Sequence, residues 1–174
     1  MSRRVIEVDR KDRILQHLRQ AGRPVTGSEL ARVMGVSRQV IVQDIAILRA
    51  QGKEILATPQ GYLWRQTRED RQRAVLPVVH PFEKTATELT TLVDHGLKVL
   101  DVIVEHPIYG ELRGLLMLEC RRDVERFLSR AAETNAALLS SLTGGVHLHT
   151  VEYSREEDLE AARQALAREG ILLT

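Results

Sequence analysis

One cysteine, Cys120, stands in 174 residues. An intrachain disulfide is therefore impossible, and a cysteine-rich zinc module is excluded. A lone thiol suits a reducing compartment, so a cytoplasmic protein is expected. Aromatic residues make up only 3% of the chain, so the core must be aliphatic. No apolar run is long enough to span a bilayer, and the opening MSRRVIEVDRKD is polar. Neither a membrane segment nor a secretory leader is visible. A P-loop and a GxGxxG run are missing, and no motif supports Ser-His-Asp catalysis.

What is present divides in two. The net charge is only +1, but residues 1–70 hold 13 Lys and Arg against 8 Asp and Glu, while residues 71–174 hold 12 against 16. A basic half joined to an acidic half suggests that only the first meets a polyanion.

In the first half, DRKDRILQHLRQAG places Ile14, Leu15 and Leu18 at helical spacing and stops at Gly22. Thr26 and Glu29 then form a T-x-x-E capping box for a second helix, whose Leu30, Val33 and Met34 are expected to face inward. Ser37 is a suitable N-cap for a third helix carrying Ile41, Ile45 and Leu48 at i, i+4 and i+7, up to Gly52. The short turn MGVS between the last two marks a helix-turn-helix. EILATP and GYLW, separated by Pro59-Gln60-Gly61, predict a hairpin. A helix-turn-helix followed by a hairpin is a winged helix. Its third helix presents Arg38, Gln39, Val42 and Gln43 near its N-terminus, where such helices meet base edges in the major groove, and the N-cap Ser37 is counted with them as DNA-binding. Arg suits guanine, Gln suits adenine, and an exposed Val suits a thymine methyl, while Arg49 is placed for phosphate. Double-stranded DNA is the expected partner of residues 1–65, and a homodimer the expected assembly.

RQTREDRQRA is polar and lacks apolar periodicity, so residues 66–74 read as a linker. From residue 75 the pattern is strand, helix, two strands, helix, strand, then a helix opened by a Ser154–Glu157 capping box and a last short strand, ILLT. This order predicts a split β-α-β sandwich with its helices on one sheet face. The whole chain is thus α+β.

Five of the six histidines lie in residues 75–174. His147 and His149 stand two apart in a strand, so their imidazoles share a face. A metal would want such a pair together with further ligands. His80 ends a strand, and Glu88, eight residues on, can fold back beside it. The same spacing also fits a solvated sheet face. His95 is placed as a helix C-terminal residue.

VVHPFE, DVIVEHPIYGELRG and TGGVHLHT occur here in the order found in the 3H domain, a small-molecule-binding module named for three histidines. ELARVMGVSRQVIVQDIAILRAQG resembles the type 11 helix-turn-helix domains of bacterial repressors. Together they make the chain similar to the nicotinate-responsive (NiaR-type) repressors of NAD-synthesis and niacin-uptake genes. That resemblance implies a nickel or zinc ion held by His80, Glu88, His147 and His149, nicotinic acid as co-repressor, and no enzymatic activity. It also makes His106, Tyr109 and Arg113 candidates for the ligand pocket. An ion with open coordination positions leaves two competing readings, a metal sensor and a small metal-dependent hydrolase.

Overall fold

The computed structural model describes the backbone of residues 3–65 and 71–174, and side chains from residue 10 onward. The chain forms two compact units, Met1–Thr67 and Arg68–Thr174. Each has its own buried aliphatic cluster. Among the described residues no helix is long and apolar enough to cross a membrane.

In the first unit, α1 (Arg3–Ala21) begins earlier than its apolar spacing suggested. It packs with α2 (Gly27–Met34) and α3 (Arg38–Ala50) around Ile14, Leu18, Leu30, Ile41, Ile45 and Leu48. Thr26 caps α2 by accepting from the Glu29 amide, but the capping box is half made, because the Glu29 carboxylate turns to Arg23 instead. Val33, expected inward, is 41% exposed, and Ala31 takes its place in the core, since the helical phase of Leu30 and Met34 favours position 31. Ser37 caps α3 by accepting from Val40 N–H, and that helix ends at Ala50, before Gly52.

The wing is a hairpin of β1 (Ile55–Thr58) and β2 (Gly61–Trp64), with Val25 bridged to Tyr62 as a single rung on the other edge of β2. Gly61 makes that rung possible. A Cβ there would lie 2.5 Å from the Val25 carbonyl oxygen, and its φ is +133°. Arg19 stacks over the Trp64 ring at 4.4 Å, tying α1 to the wing.

The second unit opens with β3 (Gln72–Val79), so Gln72, Arg73 and Ala74 belong to a strand rather than to the linker expected there. Arg73 pairs across to Glu152 and Ala74 packs on the core, which explains the early start. Residues 66–70 of that linker lie outside the described residues. The chain continues through α4 (Thr85–Asp94), β4 (Lys98–His106), β5 (Gly110–Leu118), α5 (Arg121–Thr134), β6 (Val146–Tyr153) and α6 (Glu156–Arg168). The sheet order is β3-β6-β4-β5 with every neighbouring pair antiparallel. The β3–α4–β4 unit is therefore split by β6. Leu89, Leu92, Val124, Leu159 and Leu166 from the three helices join Leu76, Val78, Val99 and Val151 in one cluster, so all three helices cover one face.

Two expectations fail at the C-terminal end. Helix α6 is entered through Arg155, which caps with no side-chain hydrogen bond, so Ser154 is not its cap. Glu156, Glu157 and Asp158 in its first turn meet the positive end of the helix instead. ILLT forms only a single bridge, Leu172 to Val78, because buried Ile171 docks into the core and ends the pairing.

Candidate functional site

Period-two alternation on β6 sends His147, His149, Val151 and Tyr153 to the same side. The register opposes His149 to Leu76 and His147 to Val78, both core residues, so this side is the one the helices cover. The imidazoles are 3% and 2% exposed, which rules out a solvated sheet face. On α4, Thr85, Glu88, Leu89 and Leu92 form one inward stripe. A carboxylate is thereby carried down onto the sheet and left 1% exposed. Past the end of β3, extended Pro81 opens a 3-10 turn at Phe82–Lys84 that feeds the chain into α4, bringing His80 beside Glu88.

The four side chains converge. His80 Nε2 lies 2.7 Å from Glu88 Oε2. Glu88 Oε1 lies 3.4 Å from His147 Nε2 and 3.2 Å from His149 Nε2. The two Nε2 atoms of His147 and His149 are 3.2 Å apart. His80, Glu88 and His147 can each bring a donor atom within 4.8 Å of the other two, and His149 joins through its contacts to both Glu88 and His147.

The far side of each ring decides its chemistry. Nδ1 of His80 lies 2.8 Å from the Pro81 carbonyl, Nδ1 of His147 lies 2.9 Å from the Gly145 carbonyl, and Nδ1 of His149 lies 2.6 Å from the Asp101 carbonyl. A carbonyl only accepts, so each Nδ1 carries the proton and, in a neutral ring, each Nε2 is a bare lone pair. Three lone pairs and a carboxylate then face one another with no donor between them, and Glu88 Oε1 accepts no hydrogen bond. A buried set of acceptors needs a cation. Ligands held at about 2.1 Å from one ion stand roughly 3 Å from each other, matching the spacings here. Backbone carbonyls gripping the outer nitrogens are also the usual supports of metal-bound histidine. The residues therefore fit a borderline divalent ion such as nickel or zinc.

Without an ion the same convergence couples the carboxylate to the rings and favours protons in the place a metal would take. Burial would raise the Glu88 carboxyl, but the surrounding imidazoles overcome it and hold its pKa well below the usual carboxylate range. Burial also disfavours the charged rings of His80 and His149, yet Glu88 reverses this and their pKa values are raised.

A cavity of about 820 Å³ opens beside His147, with Val104, Leu148 and Thr143 among its walls and Glu105 and Glu111 as acidic members. His106, Tyr109 and Arg113 surround the β4–β5 turn but are not among its lining residues. His106 Nδ1 accepts the Ile108 and Tyr109 amides, and Tyr109 is exposed. Arg113 bridges Asp101 and Glu111 at 3.0 and 3.1 Å. His95 closes α4, its Nδ1 donating to the Thr91 carbonyl. Gly145 was not anticipated. A Cβ on it would lie 2.3 Å from the His80 carbonyl oxygen.

On α3, Ser37, Arg38, Gln39, Gln43 and Arg49 are exposed and Val42 is half-buried. Buried Asp44 lies behind them and takes both arms of the Arg10 guanidinium, at 2.6 and 3.1 Å. Its position among Ile41, Ile45 and Leu48 was the available signal for a buried charge.

Two family models match this chain: the HTH domain over residues 10–63 and the 3H domain over residues 73–174. The chain is 42% identical over 173 residues to the transcription repressor NadR of Bacillus subtilis (strain 168), covering 98% of this chain and 96% of that protein. It is 39% identical over 173 residues to the probable transcription repressor NiaR of Thermotoga maritima, covering 99% and 98%.

Proposed function

The chain belongs to the family of NadR- and NiaR-type transcription repressors, which join a helix-turn-helix domain to a 3H domain, and from that premise we propose that it represses NAD-synthesis and niacin-uptake genes with nicotinic acid as co-repressor. It is a DNA-binding regulator and not an enzyme. Helix α3 reads the operator through Arg38, Gln39, Val42 and Gln43, with Ser37 and Arg49 against phosphate. Two chains act together, since such repressors bind paired half-sites.

His80, Glu88, His147 and His149 hold one nickel or zinc ion. When bound, the ion supplies open coordination positions for a pyridine nitrogen or a carboxylate. The neighbouring cavity receives the effector, and the main-chain carbonyls of Pro81, Gly145 and Asp101 keep the imidazoles aimed. The effector acts by binding the DNA-competent state more tightly than the other. The coupling required is about 1–3 kcal/mol, roughly 5- to 150-fold in operator affinity. The observation that carries this reading is the meeting of three bare Nε2 atoms on one carboxylate.

The test is operator titration with and without nicotinic acid, on metal-loaded and chelator-stripped protein. Tightening that needs both ion and nicotinic acid supports the reading. Tightening by the ion alone makes the chain a metal sensor. No response to either removes the co-repressor mechanism.

A further inference from the structure

The carbonyl that holds His149 lies where the sheet is irregular. Val99 pairs with Val151, and the next partners are Ile103 and Leu148. Three residues of β4, Leu100, Asp101 and Val102, therefore oppose two of β6, His149 and Thr150. This is a β-bulge, and bulges re-aim groups next to functional sites. On the other edge of β4, Val99 pairs with Leu118 and Asp101 with Leu115, leaving Leu100 opposite Leu116 and Met117. Met117 takes φ +55°, a left-handed conformation uncommon for a side chain of its kind. Both ladders are thus interrupted around the same residue of β4.

Asp101 compensates for the break. Its side chain is 3% exposed. Oδ1 accepts the Thr150 amide at 3.1 Å, the donor that a regular ladder would have directed to a β4 carbonyl. The Asp101 carbonyl, at the same break, accepts from His149 Nδ1. Oδ2 is held by Arg113 at 3.0 Å, and Arg113 also grips Glu111, a wall residue of the cavity.

We propose that Asp101 is a positioning residue for His149, standing in for the missing ladder bond so that its own carbonyl fixes the ring, and that Arg113 ties this arrangement to the cavity wall. The proposal rests on the reading of His149 as a metal ligand, but its structural half holds in the metal-free protein. Without the Oδ1 acceptor, the Thr150 amide pulls β4 back toward a regular ladder. The His149 ring then loses its Nδ1 acceptor and its fixed tautomer. Asn at this position keeps the acceptor, while Ala removes it.

The experiment uses the full chain in three variants, Asp101→Ala, Asp101→Asn and Arg113→Ala. Two readouts are taken: nickel affinity by competition with a chromophoric chelator, and the His149 tautomer in metal-free protein by long-range proton–nitrogen NMR. Asp101→Ala should lose about 10- to 100-fold in nickel affinity, as supports behind metal ligands typically do. It should also lose the pure Nδ1–H signature of His149. Asp101→Asn should stay within about threefold of wild type and keep the tautomer. Arg113→Ala, at an exposed site, keeps the protein folded if Asp101→Ala does not. It should weaken nickel binding in the wild-type background and not in Asp101→Asn.

An unchanged tautomer in Asp101→Ala overturns the positioning role. So does an equal loss of nickel in Asn and Ala. An Arg113→Ala chain identical to wild type in both readouts overturns the tie to the cavity wall. A wild-type chain that takes up neither nickel nor zinc defeats the metal reading instead, and the tautomer still decides the role of Asp101.

Discussion

The Nε2 atoms of His147 and His149 stand 3.2 Å apart with their protons on the opposite sides of the rings. Lone pair facing lone pair is unfavourable in a buried site, and Glu88 Oε1, against both, adds a third acceptor. The arrangement is stable when a cation neutralises it. Replacing His147 or His149 with Ala is therefore expected to empty the site while the fold persists, because the helices and sheet are held by a separate aliphatic cluster. Metal content of dialysed protein, by plasma emission alongside circular dichroism, checks this. Wild-type metal levels in both variants would contradict the assignment.

Stripping the ion should lower thermal stability. A ligand at about 100 times its Kd stabilises by roughly 2.7 kcal/mol. In a unit of about 100 residues, each kcal/mol moves Tm by roughly 4–8 °C, so the chelator should lower the C-terminal transition by on the order of 10–20 °C. Differential scanning calorimetry with added nickel, zinc or magnesium reads the effect. A transition that responds to magnesium as strongly as to nickel would argue against nitrogen ligands.

Gly145→Ala should damage the site without touching a ligand. The new Cβ would sit 2.3 Å from the His80 carbonyl oxygen, at φ +95°. The Gly145 carbonyl also holds His147, so two ligands are displaced together. A destabilisation of about 2–3 kcal/mol in urea is expected, with a parallel loss of metal affinity. A variant of wild-type stability would mean that the His80–Gly145 packing is looser than described.

In the first unit, Arg10→Met leaves Asp44 buried without its cation. Breaking one side of a buried pair costs about 3–5 kcal/mol, somewhat less here because Arg10 itself is partly exposed. Urea unfolding of Arg10→Met should show the loss, and Arg10→Met with Asp44→Leu should recover much of it. Equal stability of the single and double variants would remove the pair from the account.

The exposed face of α3 separates reading from holding. Arg38→Ala or Gln39→Ala should cost about 1–3 kcal/mol on the operator and little on random DNA. Arg49→Ala should weaken both alike and reduce the salt slope by about one. Competition titrations at several salt concentrations distinguish the two patterns. Uniform weakening by Arg38→Ala would move that residue from base reading to phosphate contact.

Much of this was legible in the residues themselves. Ile41, Ile45 and Leu48 mark α3 because one helix face must be apolar. His147 and His149 share a face because strands alternate. The relation of His80 to Glu88 is partly legible, since Thr85, Leu89 and Leu92 are apolar or small around an acidic residue on the same stripe. Asp101 was not legible. Its task arises from a register break between strands some 50 residues apart in sequence, and nothing local announces a bulge. Asp44 shows the same limit, because its partner Arg10 lies on another helix. The early start of β3 was hidden for a similar reason: Arg73 is polar in sequence, but Glu152 awaits it across the sheet.

All three outer nitrogens of the histidine rings are held by main-chain oxygens, those of Pro81, Gly145 and Asp101. No substitution deletes a main-chain oxygen; it can only shift one. The aim of the rings is thus set by the path of the backbone, and side chains such as Asp101 bear on it by shaping that path. The four inward groups are, by contrast, side chains, each open to replacement. On the proposed reading of a bound ion, a softer or harder donor in place of one of them would change which ion the site prefers and leave the scaffold standing.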